Sequence, residues 1–473
     1  MIAPLAPCEW PEGFHAALVN ILGAAGVRER AAIEVLDPGM HGANLGATLM
    51  ARPASTEEAA RVLALCARTG VGVVPQGGRT GLSGGAESRP GELILALDRM
   101  DRIEHLEPLA RTATVQAGVT LARLEAALAP HGLSAGIDLG ARDSATIGGM
   151  VATNAGGIEA FRHGPMRSRV LGLEAALASG EVLRELSRIR KDNAGLALRQ
   201  LFIGSEGTLG VITRVVLDLV PQGGARRTAL ALFGDLEAAI GVMRSLERDA
   251  TRLAADLVAA ELMSGNHLAL SARALGIGPL AALAPAAYAV LFAVSAHEDA
   301  VAAALLERGL ERAIEAGQVI DAVLPKNASE ERDLWRVRED WAVDRAHPGG
   351  LWYDVSVPID RLAAYLAGVA SRLARHDAAL AMFIVGHLAD GNVHFTINAA
   401  RPIPERYAEV APLIYEGLKE LGGSFSAEHG IGLEKRASLE RWSGAPRLAL
   451  MRAVKTVFDP AGIMNPGKML SRD

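Results

Sequence analysis

An Asp390-Gly391 pair stands between two apolar runs, Ala381 to Val385 and Val393 to Ile397, and this pattern commits the chain locally to a β-hairpin. Asp-Gly supplies the left-handed backbone of a two-residue turn, so the spacing predicts Asp390 and Gly391 at the turn centre. His387 then faces His394 across the strands, with Cβ atoms about 4.5–5.5 Å apart. Two imidazoles at that separation reach one metal ion. A carboxylate such as Glu428 completes a three-ligand site with one position open for substrate or water. His429 follows at once. An unperturbed imidazole titrates near ~6.5, which suits a general base at neutral pH. The alternatives are ordinary ones: two satisfied sheet histidines, and a surface histidine at 429.

At 473 residues, half of them hydrophobic, the chain has material for two or three domains. A net charge of -6, from 48 basic and 54 acidic residues, argues against a general nucleic-acid binder. Two cysteines, Cys8 and Cys66, cannot hold an iron–sulfur cluster or a disulfide framework, which suits a reducing cytoplasm. Met1 to Pro11 lacks a basic stretch followed by an apolar one, so no secretory signal is expected. The longest uncharged run, Ala274 to Ala296, contains Pro279 and Pro285 and reads as a turn plus a buried strand from Tyr288 to Val294, not a membrane span.

Ser55-Thr56-Glu57-Glu58 is a capping box that opens a helix running to Gly70. A short strand, Val71 to Pro75, leads into the glycine-rich segment Gln76 to Gly85. Strands at Leu93 to Leu97 and Thr112 to Ala117 follow, then a helix from Leu121 to His131. Two further glycine-rich segments, Thr146 to Gly157 and Phe202 to Thr213, lie in the same half. Pro221-Gln222-Gly223-Gly224 marks a boundary. Beyond it come alanine-rich helices, one expected to begin at Ser295 with Glu298 three residues on and to end near Gly317. A helix around Leu448 to Phe458 precedes the closing Asn465-Pro466-Gly467-Lys468. The expected domains are an N-terminal helical segment (1–42), a nucleotide-type domain (43–222), a substrate or cap domain carrying the hairpin (223–415) and a C-terminal segment (416–473).

Three glycine-rich turns in one domain let backbone N–H groups approach a phosphate closely. Neither common phosphate loop fits: Gly77 is not followed by Gly-Lys-Ser/Thr, and no Gly-x-Gly-x-x-Gly follows a strand in this half. Arg336, Arg338 and Glu339 read equally as a solvated helix face or a carboxylate clamp. Leu351-Trp352-Tyr353 is a core wall or the floor of an apolar pocket.

Taken together, the Pro75-to-Ala86 loop, Thr146 to Gly157 and Ile203 to Thr213 resemble the FAD-binding domain of the vanillyl-alcohol oxidase and p-cresol methylhydroxylase type. Gly386 to His394, Ser426 to Lys435 and the Asn465-Pro466-Gly467-Lys468 ending resemble its D-2-hydroxyacid dehydrogenase branch, which includes D-lactate and D-2-hydroxyglutarate dehydrogenases and the glycolate oxidase FAD subunit. The resemblance implies an α+β chain: a two-subdomain FAD-binding domain plus an α+β cap domain with an antiparallel sheet. It places the FAD pyrophosphate against Pro75, Gln76, Gly77, Gly78, Arg79, Thr80, Gly81 and Leu82. The rest of FAD would be lined by Asp138, Leu139, Gly140, Ser144, Gly148, Gly149, Asn154, Gly157, Gly207, Val211, Ile212 and Asn465. Some relatives tether flavin to a histidine where Arg79-Thr80 stands here, so the FAD is expected to be noncovalent.

By the same resemblance His387, His394 and Glu428 are ligands of a divalent metal, Zn²⁺, His429 is the catalytic base and Arg338 binds the substrate carboxylate; Asn392 and Trp352 are expected to contact substrate as well, with an apolar or aromatic side chain near Trp352. Hydroxyglutarate-oxidising relatives carry a threonine and a lysine where Ala342 and Trp352 stand. Losing those two leaves a distal carboxylate without partners, which burial penalises. The expected reaction is metal-assisted oxidation of a D-2-hydroxy acid, a monocarboxylate such as D-lactate or a larger apolar analogue, with hydride transfer to FAD N5. An external acceptor (quinone, cytochrome or electron-transfer flavoprotein) would complete the cycle, with homodimerisation left open. The alternatives are an O₂-using flavin alcohol or sugar oxidase and a metal-dependent hydrolase.

Overall fold

The computed structural model describes residues 10–283, 285–399 and 402–471, so Cys8 lies outside the described residues. The chain forms two compact units, one made of the chain up to Gln222 and again from Glu428 onward, the other of Gly223–Ala427.

In the first unit the helix Thr56–Thr69 starts where its cap dictates: Glu58 N–H donates to Ser55 Oγ at 3.2 Å, and Gly70 ends it in the left-handed conformation. Its inward side, including Val62, Leu63 and Cys66, packs in one core with Phe14, Leu18, Val73, Leu93 and Met464. Burial pushes the Cys66 thiol up to about 12, so it serves as a small apolar filler. Beside this helix lies a four-stranded sheet in the order Val27–Glu29, Leu49–Ala51, Glu92–Ala96, Gly72–Gln76, with its last three strands parallel. A five-stranded antiparallel sheet follows, in the order Ile103–Glu107, Thr112–Gln116, Val211–Asp218, Val170–Ala176, Val182–Glu185. The returning C-terminal segment joins the first sheet, where Asn465 N–H donates to Val73 O at 2.8 Å.

The second unit is built on a seven-stranded antiparallel sheet. Its spatial order is Asp321–Val323, Ala225–Phe233, Tyr288–Ala296, Asp256–Ser264, Ala381–His387, Asn392–Asn398, Leu351–Ser356. The helices Leu236–Arg252 and Asp299–Glu315 pack on it. The second helix starts later than the sequence predicts. Ser295 remains in its strand, paired with Arg226 on one side and Asp256 on the other, and two ladders outcompete one cap.

The hairpin departs from prediction in its turn. His387 pairs with Asn392, and His394 with Val385, so the loop is the four residues Leu388 to Gly391. Leu388 leaves the ladder because it is fully buried and its N–H donates to Ala260 O at 2.8 Å. Gly391, at φ +74°, closes the loop with its N–H on His387 O at 3.1 Å. The register differs from expectation by two residues, and side chains alternate with period two, so both histidines stay on one face.

Candidate active site

Cross-strand pairing in the second unit lays out three rows on one sheet face. Ser356, Asn392, His387 and Glu261 form the first; Asp354, His394, Val385 and Met263 the second; Trp352, Thr396 and Phe383 the third. His387 and His394 are diagonal neighbours, with ring centroids 5.7 Å apart and planes at 88°.

Each histidine has a buried carboxylate at its Nδ1. Glu261 Oε1 lies 2.9 Å from His387 Nδ1, and Asp354 Oδ1 lies 3.5 Å from His394 Nδ1. Both carboxylates are essentially inaccessible to solvent. An acid behind Nδ1 orients the ring, makes it a better donor and directs Nε2 outward, the usual support of a metal-binding histidine. The donor set fits a borderline divalent cation. Asp354 also accepts, through Oδ2, the N–H of Ala427 at 3.0 Å, and thereby anchors the residue that precedes Glu428 in the chain.

Glu261 has a second task. Its Oε2 stands 2.7 Å from a terminal guanidinium nitrogen of Arg338. Burial would raise the Glu261 carboxyl, but His387 and Arg338 outweigh it and hold the group below the usual carboxylate range. The local charge pattern alone does not distinguish Arg336 from Arg338, whereas the family resemblance points to Arg338, and the helix Ala328–Glu339 separates the two. Arg336 pairs with Asp333 on the solvated side, while Arg338 points to the sheet. Arg338 Nε and Asn392 Oδ1 are buried with no hydrogen-bond partner among the described residues. Polar atoms in that state are expensive unless a ligand satisfies them. The segment at 351–353 also splits: Tyr353 is buried against Tyr407, whereas Trp352 is 40% exposed on the site face.

In the first unit, Gly77, Gly78, Arg79 and Ser144 come together around a cavity of about 380 Å³ that Arg28, Thr120, Arg123 and Thr146 also line. A Cβ at Gly78 would stand 1.8 Å from Ser144 O, and one at Gly77 2.2 Å from Thr146 Oγ1, so the first two glycine segments interlock only without side chains. Asp98, Asp101 and Asp37 share the lining, and Asp101 is paired with Arg123. Gln76 Oε1 and Asn465 Oδ1 are buried without hydrogen-bond partners among the described residues, while their amide nitrogens bond to loop carbonyls. Exposed backbone, hydroxyls and cations around a cleft suit a dinucleotide pyrophosphate, so the residues fit FAD.

Other predicted cofactor residues lie off this cavity. Val211 and Ile212 are core residues of a strand, Asn154 ends the helix Ile147–Thr153, Gly207 packs on Pro75, and Asp138 pairs with Arg142. Gly157 N–H donates to Glu428 Oε1 at 2.9 Å, and Ser83 Oγ donates to His429 O at 2.9 Å. Glu206, which sequence reading missed, accepts the N–H groups of Ile431 and Gly432, each at 2.7 Å. Burial raises its carboxyl above the usual range against the pull of those two N–H groups. It fixes the segment that carries His429.

Comparison with known proteins divides the chain near the same boundary at 222–224 and carries the second match on into the C-terminal segment. Residues 224–469 match the family described as FAD linked oxidases, C-terminal domain, and residues 47–185 match the FAD binding domain family. The chain is 37% identical over 432 residues to a D-2-hydroxyglutarate dehydrogenase of Xanthomonas citri pv. viticola, covering 89% of this chain and 88% of that protein. It is 35% identical over 424 residues to the mitochondrial D-2-hydroxyglutarate dehydrogenase of Bos taurus, covering 89% and 76%. Among solved structures it is similar to p-cresol methylhydroxylase with substrate bound, at a TM-score of 0.73, 17% identity and 98% of each chain. A 4-ethylphenol oxidase from Gulosibacter chungangensis matches at a TM-score of 0.71 and 18% identity over 98% of each chain. The fold is therefore the α+β p-cresol methylhydroxylase type.

Proposed function

We infer the reaction from a premise of descent: this chain belongs to the FAD-linked oxidase family, in its D-2-hydroxyacid dehydrogenase branch, and it oxidises a D-2-hydroxy acid to the 2-oxo acid. The observation that carries the site assignment is the histidine pair backed by Glu261 and Asp354, beside the unpartnered Arg338 Nε and Asn392 Oδ1.

The glycine segments around Gly77 and Gly78, with Gln76, Ser144 and Asn465, would hold noncovalent FAD. FAD supplies the acceptor for the C2 hydride. His387, His394 and Glu428 would hold a divalent ion, Zn²⁺ in this reading, which supplies Lewis acidity at the C2 hydroxyl. Within the second unit the Asp354 carboxylate that faces His394 also holds the backbone N–H of Ala427. Arg338 orients the substrate carboxylate with the donor that Glu261 leaves unused, and Asn392 contributes its amide. His429 takes the proton from the C2 hydroxyl oxygen. Loss of that proton and of the C2 hydride leaves the 2-oxo acid carbonyl, and an external quinone, cytochrome or electron-transfer flavoprotein would accept the two electrons. The substrate is a monocarboxylate: no lysine stands at 352 to meet a second acid group. No helix among the described residues is long and apolar enough to cross a membrane, and a cytoplasmic setting accords with the free Cys66 thiol.

The test is anaerobic bleaching of the flavin by D- and L-2-hydroxy acids, in the natural protein and in His429→Ala. The variant should retain FAD and fail to bleach. Undiminished bleaching removes the base assignment, and a colourless protein removes the flavoenzyme reading. Stoichiometric peroxide during aerobic turnover would mark an oxidase instead.

A further inference from the structure

We propose that Trp341 and Trp352 form the side-chain subsite of this same site, and that it takes D-2-hydroxy acids carrying an aromatic ring; the proposal rests on the dehydrogenase reading above. Trp352 occupies the sheet row next to Asp354 and His394, on the same face, two residues along its strand and so about 7 Å from Asp354. Its indole is 40% exposed, and Trp341, 45% exposed, leans against it at 5.3 Å with planes inclined by 48°. Large aromatic side chains side by side at a protein surface are uncommon without a partner, and these two rings touch as a tilted, wedge-shaped pair that shows its outer faces to solvent rather than as a flat stack.

The wedge is held in place. Trp352 Nε1–H donates to Asp344 Oδ1 at 2.6 Å, and Trp341 caps the short helix Ala342–Ala346 that carries Asp344. Phe383, in the same row as Trp352, extends the aromatic wall and has His347 against it at 5.3 Å. Trp341 lies three residues beyond Arg338 in the chain, so the arginine assigned to the carboxylate and the aromatic wall come from one stretch. The charges around the wedge oppose a second acid group. Asp344 is a carboxylate within it, and the neighbouring cation, Arg345, is paired with Asp340. A neutral ring is the side chain that this surface accepts.

The experiment measures anaerobic flavin bleaching by D-3-phenyllactate, D-lactate and D-2-hydroxyglutarate in the natural holoenzyme and in Trp341→Ala, Trp352→Ala and Trp352→Phe. The expected result is kcat/KM for phenyllactate at least ~10-fold above lactate and above hydroxyglutarate in the natural protein. Each alanine variant should lower the phenyllactate-to-lactate ratio ~10-fold or more, through KM more than kcat, with Trp352→Phe restoring most of it. Preference for lactate or hydroxyglutarate, or a ratio indifferent to both tryptophans, overturns the subsite while leaving the dehydrogenase intact. Bleaching by none of the three overturns both.

Discussion

Glu261 Oε1 lies 2.9 Å from Nδ1 of His387, in the interior of the second unit. The two residues are 126 positions apart in the chain, and sheet register alone puts them in one row. Because the other oxygen of Glu261 meets Arg338, one buried carboxylate orients both the residue assigned to the ion and the residue assigned to the substrate carboxylate. Removing its charge should disturb both.

Glu261→Gln is therefore expected to weaken Zn²⁺ binding by ~10–100-fold, the usual effect of losing a supporting carboxylate. Breaking a buried pair with Arg338 should also lower stability by about 3–5 kcal/mol. FAD content should be unaffected. Metal titration of dialysed protein and denaturant unfolding read the two effects separately; unchanged ion affinity would detach Glu261 from the metal.

His394→Asn should cost more ion affinity than Glu261→Gln, because a ligand rather than its support is lost. Visible absorbance should show flavin at full occupancy, with bleaching by substrate abolished. Natural protein stripped by a chelator should behave likewise and recover on adding Zn²⁺. Full turnover in metal-free protein would leave the histidine pair a purely structural feature.

His267 gives the second unit an acid sensitivity of calculable sign. Burial pushes its imidazole down from 6.5 to about 4, with Arg338 adding to the fall, so the folded state resists a proton that the unfolded chain accepts. Its contribution is neutral above pH ~6.5 and turns unfavourable as pH drops towards ~4, reaching about 3 kcal/mol at ~1.36 kcal/mol per pH unit. The stability gap between the natural protein and His267→Gln should move in favour of the variant across that window. A gap independent of pH would contradict this.

Gly78→Ala should destabilise the first unit by roughly 1–3 kcal/mol, because the new methyl meets a backbone carbonyl that cannot swing aside. Gly81→Ala is the internal control: nothing lies within 4 Å of its Cβ position, so the apoprotein should melt as before. Thermal melts of the two apoproteins check this. Flavin retention in Gly81→Ala then reports on whether cofactor fills the open space.

Local pattern was enough to reveal several elements. Ser55 and Glu58 announced a helix start, the apolar runs around Asp390-Gly391 a hairpin, and the parity of His387 and His394 a shared face, because each depends on neighbours in sequence. The turn differs from the two-residue expectation because Leu388 is drawn out of the ladder by a core that sequence does not display.

What the chain's own order determined is where the candidates for chemistry stand: the imidazoles and the glycine segments lie in motifs whose spacing is local. What only the tertiary structure decided is their support. Glu261 behind His387, Asp354 behind His394, and Glu206 under Ile431 and Gly432 are isolated acids in sequence. Long-range strand pairing and burial turn them into close polar partners of those groups, and a carboxylate's environment, unlike its identity, has no local signature.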